Sequence, residues 1–286
     1  MPPVLNICNM SISRGDESST YESTPLSGVT LLRARYIEHR FDKHSHETYC
    51  LGVTLRGVQA FSCRGNHHAS TAGHVMTFNP DDAHDGHSGS VNGFHYRMLY
   101  IQPSVVEAAL GERHARFFKR PLFEDRDVFR AAVQAVDAIA PQESLRAQTL
   151  LTAALRLAFE RFADGRPAQS LSPGCDIRAA RMRDYLEASL EADVTGDDLA
   201  AIAGCSRMHV NRIFQRAFGW APHAYLNAAR VRRACDLMRR GTPIAEAAAA
   251  AGFADQAHFG RRFKRIHGVT PGRWLKAMLY CRVSAG

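Results

Sequence analysis

A chain of 286 residues with 45% hydrophobic and 22% charged residues and a net charge of +8 suits one or two globular domains and excludes fibrous, collagen-like and wholly disordered classes. Its seven cysteines (Cys8, Cys50, Cys63, Cys175, Cys205, Cys235 and Cys281) are odd in number, scattered and without a CxxC pair, which argues against a disulfide framework or zinc knuckle and points to a reducing cytoplasm. The stretch holding Ser11, Arg14, Asp16, Glu17 and Ser18 lacks the apolar core of a signal peptide, and no run reaches the roughly 18 apolar residues of a membrane span.

In chain order, residues 1–24 are polar and read as a flexible tail. From Gly28 to Pro103, short runs such as Tyr49–Leu55 and Phe94–Ile101 alternate with Gly, Asn, Asp and Pro, the pattern of a small β-barrel or sandwich. Helical periods follow at 104–119, 127–140 and 143–163, the last through Leu150, Leu151, Ala154, Leu155 and Phe159. That stripe packs on the barrel or pairs two copies in a homodimer. Residues 25–163 thus form one domain, and the Gly-, Pro- and Ser-rich stretch 164–175 reads as a linker.

Beyond the linker, helices are expected near 176–191, 195–203, 206–218, 222–240, 243–251, 255–267 and 271–280, with start signals at Thr195, Ser206, Thr242-Pro243 and Thr270-Pro271. The fold class is therefore multidomain α+β, with a compact all-α domain over 176–280. Charge follows the same division. Residues 174–286 hold 18 basic and 10 acidic side chains, whereas residues 1–173 hold 18 of each. Sixteen of those 18 basic residues are arginines, which suit phosphates and guanine edges, so the basic half points to a polyanionic partner.

The helical half repeats itself. Ala203-Gly204 aligns with Ala251-Gly252 at an offset of 48, and Phe214, Gly219, Pro222, Tyr225 and Leu226 align with Phe263, Gly268, Pro271, Trp274 and Leu275 at an offset of 49. Each copy has an alanine-rich helix, a glycine able to take positive φ in the turn, and a longer helix with apolar residues at helical spacing, which is helix-turn-helix organisation twice over. In the first copy Val210, Ile213, Phe214 and Ala217 share a face, so Met208, His209, Arg212, Gln215 and Arg216 point the other way. In the second, Phe259, Phe263 and Ile266 are the buried set and Ala257, His258, Arg261, Lys264 and Arg265 the outward one. Asn211 and Gln256 lie at the margins. Ser206, Arg207 and Arg262 complete the candidate DNA contacts. Such a face suits the major groove of double-stranded DNA.

Residues 176–280 resemble the DNA-binding domain of AraC/XylS-type transcriptional regulators, above all in Gly204–Gly219 and Ala251–Pro271. The resemblance implies base reading by Met208, Asn211 and Arg212 in the first copy and by Ala257, His258 and Arg261 in the second. Gly260 departs from the usual helix former and Ala257 offers only a methyl contact, so the first copy is expected to dominate specificity. RNA polymerase is a further implied partner.

The β segment resembles the cupin-like ligand-binding domain that precedes such readers, through His44-Ser-His46-Glu47, Gly57 and Gly73–His84. Nine of the 14 histidines fall between residues 39 and 95. His44 and His46 share one side of a strand and His84 approaches from a neighbour. The preferred reading is a pocket in which His44, His46 and His84 hydrogen-bond a small polar effector, with Tyr49, Arg97 and Tyr100 as further members and Arg97 suiting an anion. No cofactor is expected. The same three histidines are the alternative ligands for a divalent metal in a cupin enzyme, with Glu47 excluded by strand parity unless the strand is irregular. His67, His68, His74 and His87 read as solvated loop residues. Taken together, a ligand-responsive regulator is the leading reading. The rivals are a metal-dependent cupin enzyme tethered to a DNA-binding module and a constitutive binder whose barrel only dimerises.

Overall fold

The structure, a computed structural model, describes residues 17–111, 116–139, 144–164 and 177–283. Eight strands come first: β1 (Ser18–Ser23), β2 (Val29–Tyr36), β3 (Phe41–His44), β4 (Tyr49–Cys63), β5 (Asn66–Thr71), β6 (His74–Phe78), β7 (His84–Ser88) and β8 (Phe94–Ile101). Then follow α1 (Pro103–Leu110), β9 (Phe117–Phe118), β10 (Leu122–Glu124), α2 (Arg126–Ile139), α3 (Ser144–Phe162) and β11 (Ala163–Asp164). The helical half comprises α4 (Ile177–Ala188), α5 (Gly196–Ala203), α6 (Arg207–Phe218), α7 (Pro222–Arg239), α8 (Ile244–Ala250), α9 (Gln256–His267) and α10 (Pro271–Val283).

All pairings in the main sheet are antiparallel, in the order β1-β2-β8-β4-β6-β10. The long β4 shifts register between Thr54 and Arg56 and continues into a second face, where it pairs with β5 and β7, and β7 pairs with β3. Alternation along β8 fixes what faces where. Phe94, Tyr96, Met98 and Tyr100 turn into the barrel. Leu99 and Ile101 turn outward, with Val29, Leu31, Leu51 and Val53, onto Val128, Leu151 and Phe159 of α2 and α3. The apolar stripe of α3 is therefore spent largely within the chain.

Two expectations are corrected. Residues 18–23, read as tail, form an edge strand whose Tyr21 pairs in register with Leu32 and stacks on Tyr100 at 5.8 Å. The helix expected over 104–119 ends at Leu110, where Gly111 takes φ 71° and caps it, and Phe117–Phe118 then pair with β11. The linker expected over 164–175 lies, beyond Asp164, outside the described residues.

The barrel's inner core runs into the helical half. Tyr36, Phe94 and Tyr96 share one buried cluster with Val231, Phe263 and Trp274, while α4, α5 and α6 form their own around Met182, Leu186, Val210, Phe214 and Trp220. The first helix-turn-helix unit therefore stands on its own core. The second is built against the barrel.

Candidate nucleic-acid interface and effector pocket

The two helix-turn-helix units are α5–α6 and α8–α9. Thr195 opens α5 with a capping box, its hydroxyl accepting from the Asp198 N–H while the Asp198 carboxylate accepts from the Thr195 N–H. The turns bend at Gly204, φ 59°, and Gly252, φ 84°, the left-handed region in which an L side chain is strained. Space adds a second constraint at Gly252 alone. A Cβ there would sit 2.1 Å from the Leu190 carbonyl oxygen, whereas around Gly204 nothing lies within 4 Å. The α9 start is fixed by Asp255, whose carboxylate accepts from the His258 N–H at 2.6 Å; that bond, ahead of the nearby Arg261, holds its carboxyl below the usual range.

Helix α6 buries Val210 and Phe214, leaving Ser206, Arg207, Met208, His209, Asn211, Arg212, Gln215 and Arg216 exposed. Met208 is 89% exposed, an apolar tip with nothing to cover it. Arg207 leans toward Asp197 at 3.6 Å, and Ser206 Oγ lies 2.7 Å from His209 Nδ1. On α9, Phe259, Phe263 and Ile266 are buried, while Gln256, Ala257, Arg261 and Lys264 are exposed and His258 stands edge-on to Phe253. The two outward faces are those the periodicity implied. Arg262 and Arg265 also reach Asp42 of β3, at 3.4 and 3.1 Å, Arg262 half-buried and Arg265 exposed on the outward face.

Helix α7 joins the units. Its 18 residues span about 27 Å. The barrel grips both ends of the reader: Lys43 donates to the Gly219 carbonyl and lies over the Trp220 ring, and Ser19 Oγ donates to the Gly268 carbonyl at 3.2 Å.

Between barrel and reader lies a cavity of about 250 Å³. Its barrel wall includes His44, His46 and Tyr100; its reader wall includes Arg232, His267 and Trp274. His44, His46 and His84 meet, with ring centroids 4.4 to 5.3 Å apart, but not as two residues of one strand and one of its neighbour: β3 ends at His44, and His46 reaches the cluster from the irregular segment beyond it. Burial holds His44 down at about 3, with His84 beside it as a further cause, and His84 at about 4, with Lys43 assisting. Burial likewise sets His267 at about 3 and raises the Tyr100 hydroxyl well above its usual range. These imidazoles are neutral near pH 7. Glu47, beyond the end of β3, lines the cavity and lies 3.9 Å from Arg232 without joining the histidines.

Two expected pocket residues stand elsewhere. Tyr49 is buried against Phe159 on the helix-covered side, its hydroxyl donating to the Arg116 carbonyl at 3.0 Å. Arg97 lies on that same side and pairs with Asp137. Parity within β8 carried the warning, since Arg97 and Tyr100 stand at an odd offset along the strand and cannot both face inward. His67, His68, His74 and His87 lie on strands rather than in loops, His68 stacking on Phe61 at 5.0 Å. Missed altogether were Arg232, Arg239, His267 and Trp274, which sequence assigns to the reader and only tertiary packing brings to the pocket.

The family model described as AraC-like ligand binding domain matches residues 26–158, and one described as helix-turn-helix domain matches residues 199–277. The chain is 26% identical over 249 residues to the uncharacterized HTH-type transcriptional regulator YbfI of Bacillus subtilis, covering 85% of this chain and 90% of that protein. It is 37% identical over 82 residues to the HTH-type transcriptional regulator MtrA of Neisseria gonorrhoeae, a match spanning 28% of this chain and only 27% of MtrA. In fold it is similar to apo ToxT from Vibrio cholerae, with TM-score 0.54 and 13% identity over 90% of this chain and 99% of that one. It is also similar to ToxT bound to an unsaturated fatty acid, with TM-score 0.52 and 14% identity over 87% and 95%. Among the described residues no helix is long and apolar enough to cross a membrane.

Proposed function

Because the chain belongs to the AraC-type helix-turn-helix transcriptional regulators, with a ligand-binding domain ahead of its DNA-binding one and no kinship to enzymes among these families and relatives, we propose that it reads DNA under the control of a small anionic effector held between barrel and reader. The observation that carries the reading is the cavity itself: His44, His46 and Tyr100 come from the sensor, Arg232, His267 and Trp274 from the reader. A molecule touching both walls binds one arrangement of the domains better than another, and that difference in affinity is what shifts DNA binding.

On this reading Met208, Asn211 and Arg212 read base edges for the first unit and Ala257, His258 and Arg261 for the second, with Ser206, Arg207, His209, Gln215, Arg216, Gln256 and Lys264 as flanking and phosphate contacts. Arg262 and Arg265 join them once Asp42 releases them. In the pocket Arg232 and Arg239 suit a carboxylate, while Val231, Ile266 and Trp274 suit an apolar body. The ToxT structure holding an unsaturated fatty acid supports an acid of that general build. Leu145 of α3, 78% exposed, supports pairing of two copies, and the output is an altered contact with DNA and RNA polymerase.

The test is a gel-shift titration of the chain on DNA flanking its own gene, with and without a panel of small carboxylic acids. A shifted dissociation constant for one acid, abolished in Arg232→Ala, is the expected result. If no small molecule changes DNA binding or transcription, the effector reading is wrong.

A further inference from the structure

We propose that Arg230 determines which operator spacing the chain accepts, by locking the first helix-turn-helix unit to the second at a fixed mutual rotation. The inference rests on the reading of α6 and α9 as base-reading helices and adds what holds one relative to the other. Arg230 is a positioning residue, acting through those helices rather than on a base.

Helix α7 sets the distance between the units, but each is joined to it by a short segment, residues 219–221 ahead of it and 240–243 behind it. Resisting rotation about those joints takes a contact away from the helix axis. Half-buried Arg230, midway along α7, supplies one: its Nε donates to the Leu190 carbonyl at 2.7 Å and its Nη2 to the Ala192 carbonyl at 2.8 Å. Leu190 and Ala192 lie in the turn from α4 to α5, so they belong to the first unit. A single hydrogen bond acts as a pivot, whereas the planar guanidinium holds two carbonyls in fixed directions. Tyr225 and Arg232 reinforce the same side, reaching Glu187 of α4 at 2.6 and 3.0 Å.

The second unit closes on the same spot. At Gly252, in the turn between α8 and α9, a Cβ would lie 2.1 Å from the Leu190 carbonyl oxygen, 3.0 Å from Glu191 Cα and 3.0 Å from Arg230 Nε. The matching turn glycine of the first unit, Gly204, has nothing within 4 Å, so the close approach belongs to this junction and is not a requirement of the turn. One carbonyl oxygen and one guanidinium are thus shared by the first unit, the connecting helix and the second unit. DNA makes the rotation matter. Each base pair inserted between two motifs moves the second by about 3.4 Å and turns it by roughly 35° around the duplex. Helices locked at one angle accept one spacing; helices hinged at the ends of α7 follow the DNA to a neighbouring one.

The experiment uses the full chain and the two motifs that the wild type selects from a randomised library, placed on duplexes at the selected spacing and at one base pair more or less. For the wild type, a one-base-pair change is expected to weaken binding by at least about tenfold. Arg230→Met keeps the stem and removes both donors; it should shrink that ratio by at least about threefold while base preference within each motif stays the same. Arg230→Lys, with one point of attachment, should fall between. Gly252→Ala should also shrink the ratio, whereas Gly204→Ala, with the same backbone strain in open space, should not. An unchanged spacing profile in Arg230→Met, or equal broadening by Gly204→Ala and Gly252→Ala, overturns the proposal. Should Arg230→Met lose its cooperative thermal transition, Arg230→Lys decides instead: a wild-type profile in it overturns the lock. Selected motifs with an unaltered profile in the variants overturn this inference alone, and a wild type that selects no motif overturns the base-reading assignment together with it.

Discussion

Asp42, on the barrel strand β3, forms an ion pair with Arg265 of helix α9, its carboxylate 3.1 Å from the Arg265 Nε. The same carboxylate reaches Arg262 at 3.4 Å, so one acidic side chain of the sensor occupies two guanidinium groups of the reader. On the proposed reading, DNA phosphates would compete for those cations. Partly exposed pairs of this kind are worth about 0–1 kcal/mol, so Asp42→Asn should tighten DNA binding by up to about fivefold at low salt and lose the effect as salt rises. Fluorescence anisotropy on one duplex across a salt series checks it, and weaker binding by Asp42→Asn would contradict it.

Arg212 stands exposed on α6 among Met208, Asn211 and Arg216. A guanidinium reading a guanine edge gives both affinity and discrimination. Arg212→Ala should cost about 1–3 kcal/mol and relax preference at one base pair. Measured on a set of singly permuted operators, a loss equal on every sequence would reduce Arg212 to a phosphate contact.

Much of the reader was legible because its signal is local. The Val210–Phe214 stripe and its aligned copy Phe259–Phe263 state which faces are buried, and a helix obeys that period whatever lies behind it. The barrel was legible as a class and less so in detail. His44 and His84 fell on their strands as expected, since both belong to short runs with clear turns. Tyr49 and Arg97 were misplaced because strand parity decides the face and two candidates of opposite parity were accepted together. The short helix ending at Leu110 was overread because the residues after Gly111 carry a helical period that pairing with Ala163–Asp164 overrides. Asp42, Arg232 and His267 carry no signal of their own in sequence; they acquire a role only when the second reader unit docks on the barrel.

The two turn glycines should respond differently to the same substitution. Gly204→Ala meets open space and pays only for its left-handed backbone, about 1–2 kcal/mol. Gly252→Ala meets that cost and the Leu190 carbonyl as well, so it should be clearly more destabilising in urea denaturation. Equal losses would show that the Leu190 contact is readily relieved.

His39 links stability to pH. Its ring stacks on Tyr36 at 4.7 Å and its Nε2 is buried without a partner. Burial lowers its pKa from an ordinary 6.5, with Lys264 and Arg265 adding to the effect and Glu17 and Asp42 opposing it. Below the unfolded value the unfolded chain binds the proton that the folded chain refuses, so stability is full above about pH 6.5 and is lost as pH falls through the lowered folded value. His39→Phe should flatten the decline in thermal midpoint between pH 7 and roughly pH 5. Buried His44, His84 and His267 act in the same direction, so the slope should shrink without vanishing. An unchanged slope would mean that His39 is solvated.

The most direct measurement is selection of a randomised DNA library by the full chain at moderate salt. Two short motifs centred about one helical turn apart, roughly 10 base pairs, are predicted, with stronger enrichment of the motif read by α6 than of that read by α9. A library that emerges with no enriched sequence would contradict the assignment of α6 and α9 as a pair of reading helices.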